Sequence, residues 1–349
     1  MSRICFVSVG NLYTIPYIKI YEEILEEDFD IVYWNRDIIK ECSEAKKLYC
    51  FNYKFTNKIE KIQGYLKFSK FTYDILEKNN YEIIIFLGTL SAVLNYKVFK
   101  KINSKFIVDV RDYTLENNCM FFLIEKKCFE KCKAVVISSP AYENFLPKNV
   151  KYLTIHNTQN NQYNINKKKN SQALTISFIG TITYLEMNKK ILNYFANDNR
   201  FLLKYIGKNS EILEKYCLEH KIKNVHFGKR FNPDDISNFY KDTDVILNAY
   251  GNHTPKLDYA LSNKLYFATN LKVPIIVNDQ TYMQKVTTNL GIGFTFDNNS
   301  NLKKELLEFK LTDEIIEKLN TFNENVKKTN LDSLNKIKNI IYGKGDIDD

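Results

Sequence analysis

Short runs of consecutive apolar residues alternate along this chain with longer segments whose apolar positions recur every three or four residues. The runs Ile4–Val9, Asp30–Tyr33, Ile83–Leu87, Phe106–Val110, Ala134–Ile137 and Tyr152–Ile155 read as strands of the first half. Between them, Ile15–Leu25 and Leu115–Cys132 have helical period. The polar, Asn-rich stretch "NTQNNQYNINKKKNSQ" at 157–172 has no apolar period and reads as a linker. After it the alternation restarts with Thr175–Ile179, Leu202–Ile206, Asn224–Phe227, Val245–Leu247, Val273–Val277 and Gly293–Phe296. Glu314–Tyr342 is again helical in period, with a break expected near "KKTN" at 327–330 and a frayed tail "GKGDIDD".

Strand–helix alternation of this kind predicts βαβ units, a parallel sheet and helices on both faces. The two halves open alike, with "ICFVSVGN" at 4–11 and "ISFIGTIT" at 176–183, each an apolar strand ending at a glycine. The expected fold class is therefore α/β, two doubly wound Rossmann-like domains whose strand ends face a cleft. The expected boundaries are 1–157 for the first domain, 158–172 for the linker and 173–311 for the second domain. Residues 312–349 form C-terminal helices and a tail that can pack back across the domains.

Composition narrows the class. At 349 residues the chain exceeds what one core usually organises, and 44% hydrophobic with 26% charged residues fits a globular protein. No apolar run approaches the roughly 18–20 residues that span a bilayer. Seven cysteines, an odd number, and a first apolar run too short for a signal peptide fit a reducing cytoplasm. The net charge of +9 divides into +4 over residues 1–157 and +5 over the remainder. Charge spread so evenly argues against a nucleic-acid partner, which would more often meet a concentrated patch. Anionic small molecules and an anionic membrane surface remain as partners.

Several positions carry candidate chemistry. Gly10, followed by Asn11, and Gly180, followed by Thr181, each end a strand without the G-x-G-x-x-G fingerprint, which weighs against a dinucleotide enzyme. Such a glycine either permits a sharp turn or lets a phosphate approach bare backbone. Ser262, Asn263 and Lys264 begin a helix just ahead of the strand "VPIIV". They are either a routine N-cap with a solvated lysine, or a site where helix-start amides and an ammonium hold a diphosphate. Asp109, Arg111 and Asp112 crowd the end of "FIVDV". They form either an internal salt-bridge cluster or a site, with the Arg111 fork on substrate oxygens and Asp112 accepting a hydroxyl proton. His156, just before the linker, is a structural residue or a general base.

No metal is expected. His220, His226 and His253 are scattered, and Cys128 and Cys132, four apart on an expected helix, have no partner motif. Residues 58–78, "KIEKIQGYLKFSKFTYDILEK", interleave lysines with aromatics. Tyr65, Phe68, Thr72 and Leu76 share one helical face with Lys61, Lys67 and Lys70 beside it, which reads as core packing with a solvated edge or as a membrane-surface helix.

Taken in order, "VDVRDYTLE", "VVISSPAYENFLP", "ISFIGTIT", "DTDVILNAY" and "LSNKLYFATNLKVPIIV" resemble the GT-B glycosyltransferases. The likeness is to the retaining family-four-like enzymes of bacterial capsule, lipopolysaccharide and exopolysaccharide assembly, over roughly residues 1–310. It implies a metal-independent sugar transfer with no cofactor beyond a nucleoside-diphosphate sugar co-substrate, a UDP-sugar first. The acceptor implied is a glycan or lipid-linked oligosaccharide, with a peripheral contact to the inner membrane face left open. Arg111, Asp112 and His156 would line the catalytic side, and Gly10 and Asn11 the acceptor side. Gly180, Thr181, Ser262, Asn263 and Lys264 would hold the donor. Many relatives carry two glutamates eight positions apart here; this chain has Tyr259 and Phe267, leaving Asp258 as the ribose candidate. Where relatives place a phosphate-binding Arg and Lys, Lys189, Lys229 and Arg230 are the substitutes. A sugar-nucleotide epimerase and a noncatalytic binding relative are the alternatives.

Overall fold

The computed structural model describes residues 2–158, 173–232, 235–297 and 299–343. The chain divides into two compact units, Met1–His156 with Lys328–Asp349, and Asn157–Lys327. Residues 159–172, most of the expected linker, and the tail after Gly343 lie outside the described residues.

Unit 1 holds a seven-stranded sheet. Its strands are β1 (Ile4–Ser8), β2 (Phe29–Asn35), β3 (Lys47–Asn52), β4 (Ile83–Leu87), β5 (Lys105–Val110), β6 (Cys132–Ile137) and β7 (Tyr152–Thr154), in the order β3-β2-β1-β4-β5-β6-β7. Every pairing is parallel, and β1 aligns Ile4 with Phe29 on one side and with Ile83 on the other. β1, β2 and β4 are buried along their whole length. That is why they read as unbroken apolar runs: a parallel sheet is covered on both faces. The edge strand β3 is half-exposed and begins on a lysine, so the apolar pattern passed over it.

Unit 2 holds a six-stranded parallel sheet of β8 (Leu174–Ile179), β9 (Phe201–Ile206), β10 (Val225–Gly228), β11 (Val245–Leu247), β12 (Ile275–Val277) and β13 (Gly293–Thr295). The order is β10-β9-β8-β11-β12-β13, so β8 is the strand from which the connections turn to either side. Ligands of doubly wound sheets bind beyond the carboxyl ends at such a switch point.

Three expected helices differ. Ile15–Leu25 is reduced to a 3-10 turn at Leu12–Thr14 and a helix at Ile18–Glu22. Pro16 lacks the N–H that a helix interior needs, so the helix starts beyond it. The expected Leu115–Cys132 helix is confined to Cys119–Phe129, capped by the Asn118 side chain on the Phe121 N–H. Cys132 begins β6, so Cys128 and Cys132 do not share a helix. The C-terminal helix Asp313–Tyr342 runs unbroken through "KKTN", where a break was expected. Its Leu319 and Val326 belong to a unit 2 core, and Ile337, Ile340 and Ile341 to a unit 1 core. Asn330 lies within it as a peptide mimic, accepting from the His156 N–H at 2.7 Å and donating to its carbonyl at 3.2 Å. Such burial outweighs the weak helix preference of Thr and Asn.

Candidate functional site

In unit 2, glycines close three adjacent strands. Gly180 follows β8 with φ +135° and Gly207 follows β9 with φ +142°, both in space that only glycine enters freely. Each is tied to the next strand, Gly180 N–H to the Ile206 carbonyl at 2.9 Å and Gly207 N–H to the Gly228 carbonyl at 3.0 Å. A Cβ on Gly207 would stand 1.9 Å from the Gly180 carbonyl oxygen, so the two loops pass with bare backbone. The loop beyond Gly180 is held from below. Buried Asn188 donates to the Thr183 and Tyr184 carbonyls at 2.8 and 3.2 Å, and Asn209 donates to the Ile182 carbonyl at 3.1 Å. Thr181 is exposed on that loop.

Lys264 arrives from the helix Asn263–Leu271. Ser262 is its N-cap, extended at φ −71° and ψ 148°, with Oγ accepting from the Lys264 N–H at 3.3 Å. Asn263 is the first helical residue. The Lys264 side chain is not solvated, because the residue is only 5% exposed. Its Nζ donates to the Tyr250 hydroxyl at 2.8 Å, lies 4.5 Å from the Phe178 ring centre, and is 3.6 Å from where a Gly180 Cβ would sit. Among the described residues no carboxylate lies within 4.0 Å of it. A buried ammonium normally requires a counter-charge. Here a hydroxyl, two ring faces and a bare glycine surround it, on a side chain carried by the first turn of a helix. That arrangement is complementary to a phosphate.

An open cavity of about 540 Å³ adjoins this point, lined by Ile182, Tyr184, Leu185, Asn209, Ile212 and Tyr250. Tyr184 has φ +52° and its ring centre is 5.7 Å from that of Tyr250. A non-glycine residue in left-handed space costs of order 1–3 kcal/mol and is held by its surroundings, here by Asn188 beneath it.

The other donor-side candidates separate from this cluster. Lys189 pairs with Glu186 at 2.8 Å and lies 5.5 Å from the Tyr216 ring centre, so it is committed along its own helix. Arg230 and Lys229 are exposed beyond β10. Phe267, at the position of the family's second glutamate, is 3% exposed and stacked on Tyr240 at 4.7 Å. That position therefore faces core, and the pattern of paired glutamates does not apply. Asp258 ends the short helix Pro255–Asp258, and its Oδ1 is buried without a hydrogen-bond partner.

In unit 1, Arg111 forms an internal ion pair. Nε lies 2.6 Å from Asp109 Oδ1, Nη2 donates to Oδ2 at 2.7 Å, and Nη1 donates to the Ile155 carbonyl at 2.9 Å. Tyr21 adds a hydroxyl bond of 2.6 Å to Asp109, and the guanidinium lies 4.8 Å over the Tyr17 ring. Burial opposes the Arg111 charge, yet the Asp109 carboxylate more than offsets it and holds the guanidinium pKa above its usual value. Of the two readings of this triplet, the internal salt-bridge cluster is the one these contacts form, with Arg111 bracing the end of β5. Asp112, next along, is exposed. His156 is 8% exposed, and burial together with the Arg111 charge draws its imidazole down to about 4. Asn11 is also committed. Its side chain donates to Asn35 and Glu41 and accepts from the Arg36 and Asp37 N–H groups, binding the loops after β1 and β2 together. Gly10 has ordinary φ, and a Cβ there would be 3.1 Å from Thr14 Oγ1.

Sequence reasoning missed Gly207, Tyr250, Tyr184 and Asn209. Gly207 carries a legible pattern, since "LLKYIG" is another apolar strand closed by glycine. The two tyrosines and Asn209 carry none. Among the described residues no group of three or more His, Cys, Asp or Glu is arranged for a metal, and no helix is long and apolar enough to cross a membrane.

Solved structures extend this picture. The sucrose-phosphate synthase from Thermosynechococcus elongatus superposes with a TM-score of 0.72 over 99% of this chain and 100% of its own, at 11% identity. The fold is that of the GT-B glycosyltransferases. Anabaena Alr3699/HepE in complex with UDP is similar at 10% identity and TM-score 0.66, covering 97% of this chain and 99% of that one. A UDP-N-acetylglucosamine 2-epimerase from Listeria monocytogenes shares the fold at 11% identity and TM-score 0.59, over 91% of each chain. No protein-family model and no curated protein matches the sequence.

Proposed function

We propose that this chain transfers a sugar from a nucleoside-diphosphate sugar, a UDP-sugar first, to a hydroxyl of a glycan acceptor in surface-polysaccharide assembly. The observation that carries the reading is Lys264, a buried ammonium in the first turn of a helix, with no carboxylate partner among the described residues and 3.6 Å from the position of a Gly180 Cβ. As the sugar–phosphate bond breaks, negative charge develops on the departing diphosphate. In this reading the Lys264 ammonium, with the helix-start amides, lowers the energy of that charge. The ammonium supplies the positive charge that a metal ion supplies in other transferases. With the anomeric configuration retained, no protein base is obligatory. In an inverting reaction the exposed Asp112 is the first candidate base and the buried His156 the second. The acceptor reading, with a lipid-linked oligosaccharide first, rests on the resemblance to these enzymes, in which the strand end that "VDVRDYTLE" matches lines the catalytic cleft and implies acceptor or donor contacts.

A second reading has support from the shared fold of the Listeria epimerase: isomerisation of the nucleotide sugar with no acceptor. Incubating the chain with a panel of nucleotide sugars, with and without lipid-linked and free glycan acceptors, separates the two. Acceptor-dependent release of nucleoside diphosphate supports transfer, and isomerisation alone supports the epimerase. Absence of any thermal shift with nucleoside diphosphates removes both.

A further inference from the structure

Where β2 and β3 end in unit 1, aromatic rings pack into one cluster. Fully buried Trp34 is met by Phe51, Tyr53, Phe55, Tyr65 and Phe68, with ring centres 5.5 to 6.1 Å away. The helix Lys58–Asn79 buries Gly64, Phe68, Thr72 and Leu76, and a Cβ on Gly64 would stand 2.6 Å from the Trp34 ring. Arg36, just beyond β2, lies on this cluster. Its guanidinium carbon is 4.8 Å from the Trp34 ring centre and 5.9 Å from that of Phe55. Nε and Nη2 are buried with no hydrogen-bond partner, and no carboxylate lies within 4.0 Å among the described residues. Burial lowers the guanidinium pKa, with Tyr65 and Asp37 opposing it only in part.

A second cation converges on the same rings. Lys61 Nζ is 5.8 Å from the centres of both Phe55 and Tyr65, again with no carboxylate within 4.0 Å among the described residues. The acids nearest in sequence are spent on the fold. Asp37 accepts from the Tyr13 hydroxyl at 2.5 Å, and Glu41 from the Asn11 side chain and the Tyr13 N–H at 2.9 and 3.0 Å. Glu60 accepts from the Thr56 N–H and hydroxyl at 2.7 and 2.9 Å. The loop that carries Arg36 is fixed. The Arg36 N–H donates to Asn11 Oδ1 at 3.1 Å, and the Asn35 side chain both accepts from the Ile39 N–H and donates to its carbonyl. Between them Ile38 is held at φ +52°, an outlier for a β-branched residue. Two cations thus share the Phe55 ring with no acid to balance them. Desolvation of an unpaired charge and repulsion between like charges both cost free energy, and one bound anion offsets both.

We propose that Arg36 and Lys61 form a binding site in unit 1 for a sugar that carries an anionic group, a phosphate or a carboxylate. Both side chains are half-buried, so the site has one open side. A guanidinium and an ammonium together suit either anion. The site stands on these residues alone. That its sugar is the acceptor rests on the transferase reading, in which Asn11, hydrogen-bonded to the Arg36 N–H, belongs to the acceptor side. The acceptor is then an anionic glycan, and a neutral one of the same size is the poorer substrate.

The test is NMR titration of the full chain with glucose 6-phosphate, glucuronate and glucose. At least one of the two anionic sugars should bind roughly tenfold more tightly than glucose, and the tighter of the two tells a phosphate site from a carboxylate site. Arg36→Met should weaken that binding by about tenfold or more, the equivalent of one charge-assisted contact. Arg36→Lys, which keeps the charge, should weaken it less, and Lys61→Gln by about two- to fivefold. Lys264→Met in unit 2 should leave it unchanged, and Arg36→Met should leave UDP affinity unchanged. A chain that fails to bind UDP therefore removes the transferase reading, while the anion site is still decided by the sugar titrations. Urea unfolding shows whether Arg36→Met folds; if it does not, Arg36→Lys and Lys61→Gln decide. Equal affinity for all three sugars, or no binding of any, overturns the proposal. So does anion binding that is indifferent to the Arg36 and Lys61 changes and lost in Lys264→Met.

Discussion

Replacing Lys264 with Met should move folding and ligand affinity in different ways. Met keeps the unbranched stem and removes the charge. In the free protein the ammonium gains a hydrogen bond to Tyr250 and the faces of Phe178 and Tyr250, but it sits 95% buried without a counter-ion. A charge-assisted hydrogen bond contributes about 1.5–3 kcal/mol, and a desolvated cation–π contact about 2 kcal/mol. Against these stands a desolvation penalty of several kcal/mol per ion. The terms nearly cancel, so the free Lys264→Met protein should unfold within about 1 kcal/mol of the parent, far from the roughly 3–5 kcal/mol lost when a buried ion pair is broken. A bound diphosphate changes this balance. Losing one charge-assisted bond of about 2–3 kcal/mol should weaken UDP binding roughly 30- to 150-fold. Urea unfolding gives the first quantity and titration calorimetry with UDP the second. A variant that loses more than about 3 kcal/mol of stability while binding UDP as tightly as the parent would refute the reasoning, since Lys264 would then be a structural residue.

Other expectations follow from the same geometry. Gly207→Ala, which must displace the Gly180 carbonyl and strain φ at +142°, should cost more than about 4 kcal/mol. Gly88→Ala, with φ +90° and nothing within 4 Å of the new Cβ, should cost about 1–3 kcal/mol, both variants being read by urea unfolding. Asp109→Ala leaves the Arg111 guanidinium buried and unpaired and should destabilise by about 3–5 kcal/mol, where a solvated pair would cost under about 1 kcal/mol. Phe267→Glu, which restores the residue of the resembled family, should lower stability by several kcal/mol and give no gain in nucleotide affinity, because that side chain faces Tyr240. Glu125, fully buried with neither oxygen hydrogen-bonded among the described residues, has its carboxyl pushed up to about 9 by burial, with Glu116 adding to the shift. Its folded pKa is raised, so its contribution is intact below the ordinary 4.5 and is lost as pH climbs to about 9. The loss is about 1.4 kcal/mol per pH unit. Glu125→Gln should therefore stabilise the chain more at pH 8 than at pH 5, and an equal difference at both pH values in urea titrations would contradict this.

The sequence by itself determined the strands and their alternation with helices. A parallel strand buried on both faces must be apolar at every position, and a doubly wound sheet repeats that demand down the chain. Hence Ile83–Leu87 and Val245–Leu247 were legible to the residue, while the half-exposed β3 was not. Ser262 as an N-cap was legible too, because capping is settled within one turn of chain. Which polar groups remain available was decided only in three dimensions. A linear reading puts Asp109 two positions from Arg111 but does not say whether they pair, or whether Lys264 finds an acid at all. Folding sets Asp109 and the Ile155 carbonyl on Arg111, and only a hydroxyl and two rings on Lys264. Whether a charge is spent on the fold or kept for a ligand depends on how the folded chain arranges near and distant partners together, as the Ile155 carbonyl on Arg111 and the Phe178 ring beside Lys264 show.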